Sequence, residues 1–177
     1  LVYDAEEDES SILHHDIRAL EVDDEHLYVV TRYGSTVFDT GNDITTHHWM
    51  TQGIEVHDGH LVHSNGAPFA MAFATSAGFA LAPLLADGSY SPISSWDWVL
   101  EGEMHALEQL AVDDGNPYVI ALGPLGTGSV HEINLDGSLV STFSIGQGIR
   151  DALETAEANV TSIQHGSVGG STLTLFV

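Results

Sequence analysis

Imidazole and carboxylate groups are the side chains of this chain best equipped for chemistry. There are 11 His and 26 Asp+Glu, against 3 Lys+Arg and no cysteine. Nitrogen and oxygen donors of this kind bind divalent metal ions. The densest clusters are the pairs His14-His15 and His47-His48 and the run His57-x-x-His60-x-x-His63. Adjacent residues on a strand point to opposite faces, so neither pair is expected to close on one ion. A spacing of three suits neither a strand face nor a zinc loop, and the His-Glu-x-x-His motif is absent. The plain alternative makes these histidines ordinary polar residues of turns and strand ends, and the chain's reserve of positive charge near pH 6. Acidic turns recur as well: Asp23-Asp24-Glu25, Asp39 with Asp43, and Asp113-Asp114. Calcium takes several oxygen ligands and could use Asp24 and Asp114. Aspartate also favours tight turns through side-chain to backbone bonds, which accounts for the same pattern without an ion. There is no Gly-x-Ser-x-Gly elbow and no phosphate loop, and no catalytic residue is assigned.

The net charge is −23, and the three basic residues are all arginines: Arg18, Arg32 and Arg150. Phosphate contacts need clustered Lys/Arg, so a nucleic-acid partner is excluded. Anionic lipid is disfavoured on the same ground. With 43% apolar residues the chain has enough hydrophobic surface for a core, and its length fits one domain. Self-repulsion at this charge is relieved by salt or by bound cations. The expectation is a salt-adapted, extracellular or secreted protein from a saline habitat; no cofactor is assigned, and Ca2+ or another divalent cation is the candidate. The chain begins at Leu1, so a processed product or a fragment is expected. Residues 67–86 carry no charge over membrane-spanning length. Phe69, Met71 and Phe73, then Phe79 and Leu81, alternate with small residues, which is the period of a strand. No membrane span is expected.

What must position these residues is a repeat. Residues 61–91 align with 111–141: Gly66 over Gly115, Pro68 over Pro117, Phe69 over Tyr118, and Asp87-Gly88 over Asp136-Gly137. Residues 15–30 align with 105–120, and 160–177 form a partial fourth copy. Each unit reads as four short strands between Gly, Asn and Asp turns. In the third unit these are 107–112, 117–122, 129–135 and 139–145; in the fourth, 160–166 and 171–177. Units of this size with four strands suit a propeller blade. The expectation is all-β: a small propeller of about four blades at roughly 15–50, 51–100, 101–148, and 160–177 plus 1–13. The N-terminal segment, with Leu1-Val2-Tyr3-Asp4, would supply an outer strand of the last blade and close the ring. A half-ring completed by homo-oligomerisation is the runner-up. Residues 101–112 and 149–160 are rich in helix formers; the repeat makes the first a strand, and a short helix is expected at 149–158.

The pattern V-x-x-G-x-x-Y-V-x-A … G-x-V … L-x-x-D-G-x-L at 112–139 resembles the repeat of secreted bacterial lactonase-like β-propellers. That resemblance implies a propeller fold and, as one option, a metal-dependent hydrolase. The alignment puts His15 and His105 at equivalent positions before inner strands, with Glu55 at the same offset in the second unit. Inner strands line a propeller's central channel, so His15, His105 and Glu55 are candidate ligands at its mouth. The leading functional expectation is a non-catalytic binding or structural module with a protein or carbohydrate partner. A lactonase-like hydrolase with a divalent ion at the channel mouth is the alternative.

Overall fold

The computed structural model describes residues 12–41, 44–50, 53–100, 102–110, 116–124, 128–144, 163–168 and 171–176. These residues form an all-β structure, with one short 3-10 turn at Ile93–Ser95. Sheet 1 is the meander β1 (Ile17–Val22), β2 (His26–Thr31), β3 (Gly34–Asp39) and β4 (Ile44–Trp49). Sheet 2 is β5 (Val56–Ser64), β6 (Ala67–Thr75), β7 (Gly78–Pro83) and β8 (Asp97–Val99). Sheet 3 is β9 (Ala106–Leu110), β10 (Tyr118–Leu122), β11 (Gly128–Ile133) and β12 (Leu139–Ser144). A hairpin of β13 (Ile163–Val168) and β14 (Ser171–Phe176) follows. All pairings within the sheets are antiparallel. The helix formers of 101–112 yield to tertiary context: Ala106–Leu110 pairs with β10 along its whole length.

The first strands of consecutive sheets adjoin, β1 beside β5, β5 beside β9, and β9 beside β13. Among the described residues the sheets do not close into a ring. The N-terminal segment expected to close it, the helix expected at 149–158, and Asp43, Asp113 and Asp114 all lie outside the described residues. No helix among the described residues is long and apolar enough to cross a membrane.

The uncharged stretch 67–86 is the centre of the molecule. Sheet 2 is buried on both faces, and its alternation divides the labour. Met71 and Phe73 pack toward Tyr28, Val30 and Val37 of sheet 1, together with Leu61, Tyr90 and Trp96. Ala70, Ala72 and Ala74 face the other way, toward Leu107, Val119, Ala121 and Ile133 of sheet 3. On β7 the sizes reverse: Phe79 and Leu81 point to sheet 3, Ala80 and Ala82 to sheet 1. Large residues of one strand thus sit beside small ones of the next, so that bulk and space alternate on both interfaces.

The repeated Asp-Gly turns have the same geometry. The Gly88 amide donates to the Leu85 carbonyl, and the Gly137 amide to that of Asn134. The Ser89 and Ser138 amides and hydroxyls donate to Oδ1 of Asp87 and Asp136. Each turn docks on the sheet before it. A Cβ on Gly88 would lie 2.4 Å from the His26 ring, and one on Gly137 2.8 Å from Pro83. Both glycines have positive φ, +76° and +80°. Gly137→Ala is therefore expected to cost about 2 kcal/mol in urea unfolding, from strain plus clash. Gly66 (φ +81°) has no atom within 4 Å of such a Cβ. Gly66→Ala should cost only about 1 kcal/mol, and equal costs would show that docking contributes nothing.

Candidate metal centre at the β5–β9 junction

Strand starts and hairpin turns gather at one end of the molecule. Val56 and Met104 are buried, and their amides donate to the carbonyls of Arg32 and Thr75, at the β2–β3 and β6–β7 corners. These two anchors sit in the middle of matching triplets, Glu55-Val56-His57 and Glu103-Met104-His105. With the apolar residue turned into the core, the flanking acid and histidine are left on the outer side.

The triplets meet across the junction of β5 and β9. His57 Nε2 lies 3.2 Å from Glu103 Oε1, and His105 Nε2 lies 3.1 Å from the same oxygen. The two imidazoles are tilted at 60° with centroids 5.0 Å apart. The three donor atoms lie within 4.8 Å of one another. His57 is partly buried; desolvation, with repulsion from His105, holds its pKa below the usual histidine value. Beside the cluster, Asp58 Oδ2 accepts the Leu107 amide at 2.8 Å and ties β5 to β9. Burial pushes the Asp58 carboxyl up to about 6, against the lowering effect of its two backbone bonds.

Of the described residues expected to bind an ion, His105 belongs to this cluster, and His15, Glu55 and Asp24 do not. Glu55 faces the same end but is paired with Arg32, whose guanidinium hydrogen bond lowers the Glu55 pKa. His15 is exposed and its ring stacks on His14 at 4.3 Å. Asp24 lies at the opposite end, in the β1–β2 turn, where it lines a cleft of about 570 Å³ with Asp23, Glu25, His63 and Pro68. A strand of five or six residues spans roughly 17–20 Å, so Asp24 is out of reach of His105. Asp114 lies outside the described residues. Asp23, in that cleft, is a turn cap: its carboxylate accepts from the Glu25 and His26 amides and the Tyr28 hydroxyl.

The remaining histidines disperse. His60 pairs with Glu21 at 3.4 Å, and the His63 backbone exchanges two bonds with the Gln109 side chain. On β4, His47 contacts Thr36 while His48 lies edge-on to Tyr90, on opposite faces as the strand period requires. Glu103 was missed by sequence reasoning, and His57 was weighed only within the run His57-x-x-His60-x-x-His63 and set aside. The recurring Glu-x-His at the start of β5 and just before β9 was the available signal.

The fold and site together define an all-β protein of packed antiparallel meanders with a histidine–carboxylate cluster between two sheets. No protein-family model matches the chain. No curated protein matches it either. It is similar to a crystal structure of a protein of unknown function from Bacteroides caccae, at 17% identity and a TM-score of 0.42. That match covers 70% of this chain, which spans 42% of the other's length.

Proposed function

We propose that the chain is a non-catalytic, acidic, salt-adapted binding or structural module of an exported microbial protein, built as a small propeller of about four blades. The observation that carries this reading is the side-by-side order of β1, β5, β9 and β13, one first strand from each repeat unit. Propeller blades meet through their innermost strands in this way. The outer side of β1 supports it: Ile17, Leu20 and Val22 are 46%, 61% and 67% exposed. They form an apolar face that the last blade would cover. The cleft lined by Asp23, Asp24 and Glu25 suits a polar or cationic group of a protein or carbohydrate partner.

Salt adaptation has a direct test. Raising monovalent salt from about 0.1 M to 1 M shortens the Debye length from about 10 Å to 3 Å and screens the −23 charge. Thermal melts of the chelated chain should shift upward by several degrees over that range. An unchanged midpoint overturns the reading. Calcium at matched ionic strength separates specific binding from screening.

A second reading, a metal-dependent hydrolase, is favoured by the His57–Glu103–His105 cluster alone. Turnover of an aryl ester or lactone that is lost in Glu103→Gln would support it.

A further inference from the structure

We propose that His57, Glu103 and His105 form a binding site for one first-row transition ion of the zinc class, which staples sheet 2 to sheet 3. This site depends only on the β5–β9 junction and stands whether or not the ring closes. Three observations carry it.

The first is spacing. Zinc bonds to imidazole nitrogen and carboxylate oxygen are about 2.0–2.1 Å, so neighbouring ligand atoms of a tetrahedral site lie about 3.3 Å apart. The two Nε2···Oε1 distances are 3.2 Å and 3.1 Å, and the three donor atoms all lie within 4.8 Å of one another, close enough for a small side-chain adjustment to complete the set. Glu103 has the most exposed side chain of the three, at 46%, which leaves it room to swing as an ion enters.

The second is an unmet polar group. His57 Nε2 is buried and makes no hydrogen bond of acceptable geometry, although the carboxylate is at 3.2 Å. A buried polar atom of this kind is costly unless something satisfies it. One carboxylate oxygen also faces two imidazole nitrogens. A divalent ion would replace the protons that this oxygen otherwise has to share, leaving each nitrogen a lone-pair donor.

The third is preorganisation and donor type. Val56 and Met104 hold the two triplets by core packing, and the Asp58–Leu107 bond fixes the strands between them. Two nitrogens and one oxygen suit zinc, whereas calcium asks for six to eight oxygens. Three protein ligands leave one position for water or an anionic ligand. The acidic surface raises the local cation concentration.

The test uses the full chain after chelation, titrated with Zn2+ at constant monovalent ionic strength by calorimetry and thermal melting. Co2+ is the spectroscopic probe of coordination number. One saturable equivalent is expected, with a raised midpoint and intense four- or five-coordinate Co2+ absorption. Glu103→Gln and His105→Gln should each weaken binding by at least the roughly 10–100-fold that outer-shell changes cost. A His14→Gln, His15→Gln variant should bind like the parent. Glu103 is exposed, so that variant keeps the test valid if His105→Gln folds poorly. Absence of saturable binding, unchanged affinity in Glu103→Gln, equal loss in the His14/His15 variant, or octahedral Co2+ overturns the proposal.

Discussion

Replacing Phe73 with alanine should lower the unfolding free energy by about 3–5 kcal/mol, measured by urea denaturation at fixed salt. Phe73 is fully buried on the strand that both neighbouring sheets depend on. Its ring stacks on Trp96 (5.3 Å, 10°) and meets Tyr90 edge-on (5.8 Å, 80°). The neighbouring strands offer little side chain to fill the space it leaves. Its partners in register are Gly59 on β5 and Ala80 on β7, which have little side chain to move. Gly59 is itself pinned, since a Cβ there would lie 2.6 Å from Val30. The lost transfer energy is then joined by a cavity term. Phe73→Leu should cost less, because it keeps most of the apolar volume. A cost below about 1 kcal/mol for the alanine would mean that Trp96 and Tyr90 repack freely.

The second large effect is acid sensitivity through His131. This residue is fully buried in β11, stacked on Phe79 at 3.9 Å and 11°. Its ring nitrogens face the hydroxyls of Ser129 (2.8 Å) and Thr142 (3.1 Å), which serve a neutral imidazole in either tautomer. Burial pushes its pKa down to about 4, from an unfolded value of 6.5. As pH falls, the unfolded chain therefore takes the proton first. The contribution of His131 is intact above pH 6.5, declines through the window from 6.5 to about 4, and changes little below that. At about 1.4 kcal/mol per unit, the loss is about 3 kcal/mol. Asp58 opposes it. Its folded pKa, raised to about 6 from 3.8, makes stability fall as pH rises through that interval. The difference between the parent and His131→Phe isolates the histidine: the variant should lose the acid decline and keep the Asp58 trend. Parallel stability–pH curves would overturn the assignment.

Much of the architecture was legible because its determinants are local. The two Asp-Gly turns are recognisable because aspartate caps the turn and glycine adopts its positive φ without strain; sequence suffices to see that. Alternation of large and small residues over 67–86 identified strands rather than a membrane helix, because period two is a property of the extended backbone. Strand boundaries in the third unit fall within two residues of β9 to β12 for the same reason. The repeat also overruled the helix formers of β9, since pairing and burial outweigh an intrinsic preference of a few tenths of a kcal/mol per residue.

The site was legible only in part. Composition marked histidine and carboxylate as the working groups, and the repeat singled out His105. Which groups meet was decided by how sheets 2 and 3 dock. His57 and Glu103 are far apart in the chain and come together because Val56 and Met104 bury against the preceding sheets. Glu55 looked like a ligand until the β2–β3 corner brought Arg32 to it. Asp24, a separate calcium candidate in an acidic turn, lies at the other end of the strands. Side-chain period and turn chemistry act within a few residues, and a sequence displays them. Contacts between strands of different sheets depend on the depth and angle of core packing, which only the folded chain sets.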